Sequence, residues 1–261
     1  MLANPRGEAE AQKLMRTLSA IFSSFESDIL PSGGRLLPDG NPVKILKSKG
    51  ARQSLKRRTR HLSLEERITL RDDLANTSHP QWTAYPTAQQ ARFVMFLLLT
   101  GLRLNEAKRL RWGNVDFKLG IFTIEQTKNS KEHTLPLTNT VTNILKAQAS
   151  DSEWVFPSPV NSSEPESMSK VFKHVSKLTG IDFTPHDLRR TTATMLAESG
   201  FDTDSIGALL NHSKKNQTSE YIQTTVAITQ PLLEDVEHSL FNFDVPPKDI
   251  VVIDVDDAEE I

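Results

Sequence analysis

The stretch GIFTIEQTKNSKEHTLPL, residues 120–137, decides the fold class. Two arms, 120–124 and 133–137, carry the β-branched and apolar residues of strands, and the basic, polar run 127–131 separates them. This pattern predicts an antiparallel β-hairpin. On either side of it the apolar spacing is helical. Upstream, residues 88–99 and 105–111 read as helices, and Ser63 with Glu66 three residues later forms a capping box that starts another. Further upstream, Leu14, Leu18, Ile21, Phe22 and Phe25 define a helix over 10–25. A turn-rich break follows, with Gly33, Gly34, Pro38, Gly40 and Pro42. Downstream, helices are expected at 139–149, 167–178, 188–199, 203–210 and 218–228. The fold class is therefore α+β, mostly helical, with one small antiparallel sheet.

Hydrophobic residues make up 37% of the 261 and charged residues 25%, as in an ordered globular chain. The longest apolar run, FVMFLLL at 93–99, is too short to cross a bilayer and reads as a buried helix. No secretory signal is expected at the N-terminus, so no membrane association and a cytoplasmic location are expected. There are no cysteines, which excludes disulfides, thiolate metal sites and a cysteine nucleophile.

Charge is unevenly placed. Between residues 44 and 60 stand Lys44, Lys47, Lys49, Arg52, Lys56, Arg57, Arg58 and Arg60, with no acid among them. This stretch is read as a linker. From Glu234 onward there are ten acidic residues against Lys248, a net −9, so the rest of a chain of net charge −2 carries +7. A basic body with an acidic tail suits a polyanionic partner, although a solvated linker and a solubilising tail fit equally well.

Four further patterns carry chemistry. In TGLRLNEAKRLRW, Arg103 and Glu106 lie on one helical face, where the carboxylate can orient the guanidinium. The hairpin turn holds Lys128 and Lys131. In HDLRRTTATML, His186 and Arg189 share one face of a helix start, with Arg190 beside them. LLNHSKKNQTSEYI places Tyr221 nine residues after His212, and the chain has only one other tyrosine, Tyr85. Taken singly, these patterns also fit a surface ion pair, ordinary surface residues, a capping histidine and a half-exposed structural tyrosine.

As an ordered set, they resemble the tyrosine recombinase (phage integrase) family, over about residues 62–239. The resemblance implies an integrase-type DNA breaking-rejoining catalytic domain at 62–240. Ahead of it would come a partial helical core-binding region (1–45) and a basic linker (46–61), and after it an acidic tail (241–261). It also implies a site-specific recombinase that cleaves and rejoins DNA through a 3′-phosphotyrosine intermediate. Tyr221 would be the nucleophile, activated because a phenol of pKa near 10 needs help to lose its proton. Arg103 and Arg189 would hold the phosphate oxygens as guanidinium forks, with His212 as a further donor. His186 is the candidate base and Lys128 the candidate general acid, with Glu106 in support. Lys44, Lys47, Arg57, Arg58, Arg60, Lys131 and Arg190 are expected to contact DNA.

No cofactor, metal or ATP is expected, since no metal-ligand pattern or phosphate-binding glycine loop stands out. The expected partner is double-stranded DNA carrying attachment sites, bound in a synaptic homotetramer, with DNA-bending or excision proteins as accessories. The core-binding region is read as shortened and the arm-binding domain of many phage integrases as absent. The β-prone run 250–253 is expected to add a strand to a neighbouring subunit or to fold back onto its own sheet. Three alternatives remain open: a type IB-like topoisomerase, a truncated or non-catalytic DNA-binding relative, and a helical interaction domain with no DNA role.

Overall fold

A computed structural model describes residues 5–49, 59–75, 88–125, 132–148, 151–158, 161, 163, 170–211 and 222–241. They fall into two compact units that divide between Arg58 and Thr59.

The first unit contains α1 (Pro5–Ser24) and α2 (Pro42–Ser48). The second helix corrects the sequence reading, which made the basic stretch from Lys44 an irregular linker. Asn41 explains its start. Its side-chain oxygen accepts from the Val43 N–H at 2.9 Å, and its amide nitrogen donates to the Ser19 carbonyl at 2.8 Å. A capping Asn followed by proline in the first helical position is a strong initiation signal, and here the cap is also tied to α1.

The second unit is built around α4 (Ala88–Thr100). Ten of its thirteen residues are buried, as befits a helix that is apolar on nearly every face. Phe93 meets Phe156 edge-on at 4.8 Å, and Phe96 packs between Phe156 and Phe122. Around this helix lie α3 (Leu64–Ala75), the short α5 (Leu104–Ala107), α6 (Asn139–Lys146), α7 (Val171–Thr179), α8 (Pro185–Glu198), α9 (Thr203–Leu209) and α10 (Ile222–Phe241). The capping box at α3 is present: Ser63 N–H donates to Glu66 Oε2 at 2.9 Å, and Glu66 N–H to Ser63 Oγ at 3.2 Å.

The sheet has the order β1-β2-β3, all antiparallel, with β1 Val115–Asp116, β2 Ile121–Ile124 and β3 His133–Pro136. Phe122 pairs with Leu135 and Ile124 with His133. The hairpin stands as its two arms predict. The two-residue strand β1 was not expected, being too short for an alternation to register. β2 buries alternate residues, whereas every residue of β3 is buried, because α10 covers it.

Several helices have bounds other than expected, three of them near the site. α5 stops at Ala107, short of 111. α8 starts at Pro185 rather than 188, because Thr184 caps it and Asp187 accepts from the Thr184 N–H (2.9 Å) and hydroxyl (2.7 Å). α10 runs on past Pro231 to Phe241, since Leu232, Leu233, Val236 and Leu240 are buried. Three acids counted with the tail, Glu234, Asp235 and Glu237, therefore belong to this helix. Glu237 accepts from the backbone N–H of Thr140 at 3.0 Å and from its hydroxyl at 2.5 Å, tying α10 to the start of α6.

Candidate active site

Gly101 is the joint on which the site is built. It ends α4 in the left-handed region, with φ +63°, and its N–H still donates to the Leu97 carbonyl at 2.9 Å. A Cβ there would stand 2.7 Å from Leu210 Cδ2 and 3.2 Å from Thr192 Cγ2, so α8 and the end of α9 come too close for any side chain. Two residues on, Arg103 is the N-cap of α5. Glu106, 4% exposed, accepts from both the backbone N–H of Arg103 (3.1 Å) and its guanidinium (3.0 Å). One carboxylate thus caps the helix and aims the arginine. The orienting role expected of Glu106 has a structural basis in this pair.

Arg189, 3% exposed on α8, reaches the same joint. Its Nη1 donates to the Gly101 carbonyl at 2.7 Å and its Nη2 to the Leu210 carbonyl at 2.5 Å. Those carbonyls end α4 and α9, so the guanidinium uses acceptors that helix ends leave unpaired. The chain turns away after Leu210 through Asn211, the one non-glycine residue with positive φ (51°) among the described residues. Asparagine tolerates this conformation better than other side chains. His186 lies half-buried in the first turn of α8, one turn before Arg189.

The threonines after Arg189 fix α8 against its neighbours. Thr191 Oγ1 accepts from the Leu62 N–H at 2.9 Å, and Thr192 Oγ1 donates to the Leu98 carbonyl at 2.8 Å. Both are fully buried. Arg190 is turned inward, 8% exposed, with Nη1 3.4 Å from Asp187 Oδ1. Arg60 holds Glu66 at 2.8 Å and the Asp182 carbonyl at 2.8 Å. In the first unit, exposed Lys44 pairs with Glu26 at 2.8 Å. Lys128, Lys131, His212, Tyr221, Arg57 and Arg58 lie outside the described residues, as do the Lys47 side chain and the run 250–253. Helix α9 ends three residues before His212, and α10 begins at Ile222, the residue after Tyr221.

The sequence reading missed one member of this neighbourhood. His133, at the start of β3, is 4% exposed, and its Nε2 lies 2.9 Å from the Leu209 carbonyl. A carbonyl has no proton to give, so Nε2 is the donor. Burial lowers the imidazole pKa, opposed by that hydrogen bond and by Glu106, while Arg189 and Arg103 lower it further. The available signal was its position in a strand arm next to the basic turn, in a register that the sequence alone leaves open.

The mostly helical fold with its small antiparallel sheet defines the class: a catalytic domain of the integrase type. The sequence profile of the Phage integrase family matches residues 73–227, and this chain belongs to that family. Tyrosine recombinase XerA of Pyrococcus furiosus is 30% identical over 140 residues, covering 51% of this chain and 49% of the relative. Prophage integrase IntA of Escherichia coli K12 is 30% identical over 153 residues, covering 56% and 37%. The matched segments span about half or less of these relatives' length. Among solved structures, the integrase from mycobacterium phage Brujita superposes with a TM-score of 0.55 at 22% identity, covering 90% of this chain and 73% of its own. A lambda integrase dimer bound to a COC′ core site superposes at 0.56 and 20% identity, covering 82% and 77%. Among the described residues no helix is long and apolar enough to cross a membrane.

Proposed function

We propose that this chain is a site-specific recombinase acting on double-stranded DNA through a covalent bond to Tyr221. The Tyr221 oxygen attacks a backbone phosphorus, the bond from that phosphorus to the 5′ oxygen breaks, and a 3′-phosphotyrosine remains. Lys128 gives the departing oxygen its proton, and His186 takes or relays the phenol proton. The 5′ hydroxyl of another strand reverses the step. Since the phosphoester bond is exchanged rather than hydrolysed, rejoining requires no ATP. On this reading neither a metal nor a cofactor takes part.

The observation that carries this reading is the anchoring of Arg189. Its guanidinium joins Gly101, 88 residues away in the turn that bears Arg103, to the helix end that precedes His212 in the chain. Three distant motifs thereby meet at one place, and Arg103 and Arg189 are proposed to meet the extra negative charge of a pentacovalent phosphate. Preorganised donors of this type are each worth about 3–4 kcal/mol in a transition state. Lys44, Lys47, Arg57, Arg58 and Lys131 are proposed as phosphate contacts. The active assembly is proposed to be a tetramer on attachment-site DNA, with bending or excision proteins as possible additions.

The test is a nicked, labelled duplex carrying candidate attachment sequences, incubated with the chain without magnesium and run on a denaturing gel. Nicking lets the cleaved fragment diffuse away, so the intermediate accumulates. A label that migrates with the protein and is lost in Tyr221→Phe is the expected result. Salt-sensitive binding with no adduct on any sequence tested would refute the enzymatic reading.

A further inference from the structure

We propose that His133 is a positioning residue: with Arg189 it latches the end of α9 and so sets where the chain carrying His212 leaves the core. Two consecutive carbonyls at that helix end are held by two side chains. The Leu209 carbonyl accepts from His133 Nε2 at 2.9 Å, and the Leu210 carbonyl accepts from Arg189 Nη2 at 2.5 Å. The imidazole comes from β3, an arm of the hairpin whose turn holds Lys128, and the guanidinium comes from α8. A displacement of either strand or helix is therefore transmitted to the residue before Asn211, which turns with φ 51° into His212. In a buried setting, losing one donor leaves a carbonyl with its desolvation cost and no compensating bond.

Burial, more than the charges around it, favours the neutral ring. Arg103 and Arg189 face it as cations from the α4–α5 turn and from α8, against the single carboxylate Glu106 on α5. A proton added to His133 puts a third positive charge into this cluster. The latch needs a proton on Nε2, which the imidazolium and the Nε2-protonated neutral ring both carry, and burial favours the neutral one.

This inference rests on the recombinase reading for its effect on rate, but the latch itself is tested without DNA. In the wild-type chain, nitrogen-detected NMR should find His133 with its proton on Nε2 and titrating below 6.5. Amide exchange in Leu210 and Asn211 should speed up about tenfold in His133→Leu, and return toward wild type in His133→Gln, which restores a donor. On the nicked duplex, His133→Leu should then slow single-turnover cleavage about tenfold with DNA affinity unchanged, and His133→Gln should recover most of it. A neutral ring with its proton on Nδ1 and not on Nε2, or exchange unaltered in His133→Leu, would overturn the latch. So would accelerated exchange with an unaltered cleavage rate. A wild-type chain that passes the NMR and exchange tests yet forms no adduct would instead sink the recombinase reading and leave the latch standing.

Discussion

Replacing Gly101 by alanine perturbs the site at its joint without touching a charged group. Two costs add. The φ of +63° is a left-handed conformation that costs a residue with a Cβ about 1 kcal/mol. The new Cβ would lie 2.7 Å from Leu210 Cδ2 and 3.2 Å from Thr192 Cγ2, both in buried residues, and overpacking of this kind costs about 1–3 kcal/mol. The sum, roughly 2–4 kcal/mol, corresponds to a fall in melting temperature of about 5–15 °C for a unit of this size. Thermal and urea unfolding of the single variants and of Gly101→Ala with Leu210→Ala separate the two costs. Removing Cδ2 relieves the contact but not the backbone strain, so the double mutant should be about 1–2 kcal/mol more stable than the two single effects combined. A Gly101→Ala chain melting within about 2 °C of wild type, or strictly additive losses, would show that this reading of the joint is wrong.

Other outcomes follow from single contacts. Glu106→Ala should cut single-turnover cleavage by about 10–100-fold, because it frees the Arg103 guanidinium and uncaps α5 together; Glu106→Gln, which keeps an acceptor, should lose less. Thr191→Val keeps the shape but strands the buried N–H of Leu62, and urea unfolding should register a loss of about 1–3 kcal/mol. Stability should fall with acidity below about pH 6.5. There the unfolded chain binds a proton at His133 that the folded chain, with its lowered pKa, does not; urea midpoints measured from pH 7.5 to 5.5 should decline less in His133→Gln. Duplex binding should weaken linearly on a plot of log affinity against log salt, and replacing Arg57 and Arg58 by alanine should make the slope shallower by nearly two.

The sequence by itself settled the fold class and the chemistry-bearing residue types. The β-branched and apolar arms 120–124 and 133–137, separated by a polar, basic run, predict a hairpin, because such residues fit the pleated surface of a strand. The all-apolar 93–99 run requires a central helix, because no face of it tolerates water. Arg103, Glu106, His186 and Arg189 were legible from order and spacing, since i to i+3 neighbours share a helical face whatever the fold. The tertiary structure alone decided what these residues hold. Helix α2 needed the bond from Asn41 to Ser19, and α8 gained its first turn from the Thr184–Asp187 cap. Arg190 went inward to Asp187, although its position beside Arg189 had suggested a DNA contact. The role of His133 depends on a partner 76 residues away, and that of Arg189 on carbonyls 88 and 21 residues away. Spacing encodes neighbours within a turn of helix or along a strand. Which helix end meets which arginine is set by the packing of α4, α8 and α9, where the absent Cβ at Gly101 leaves room for the side chains of Leu210 and Thr192.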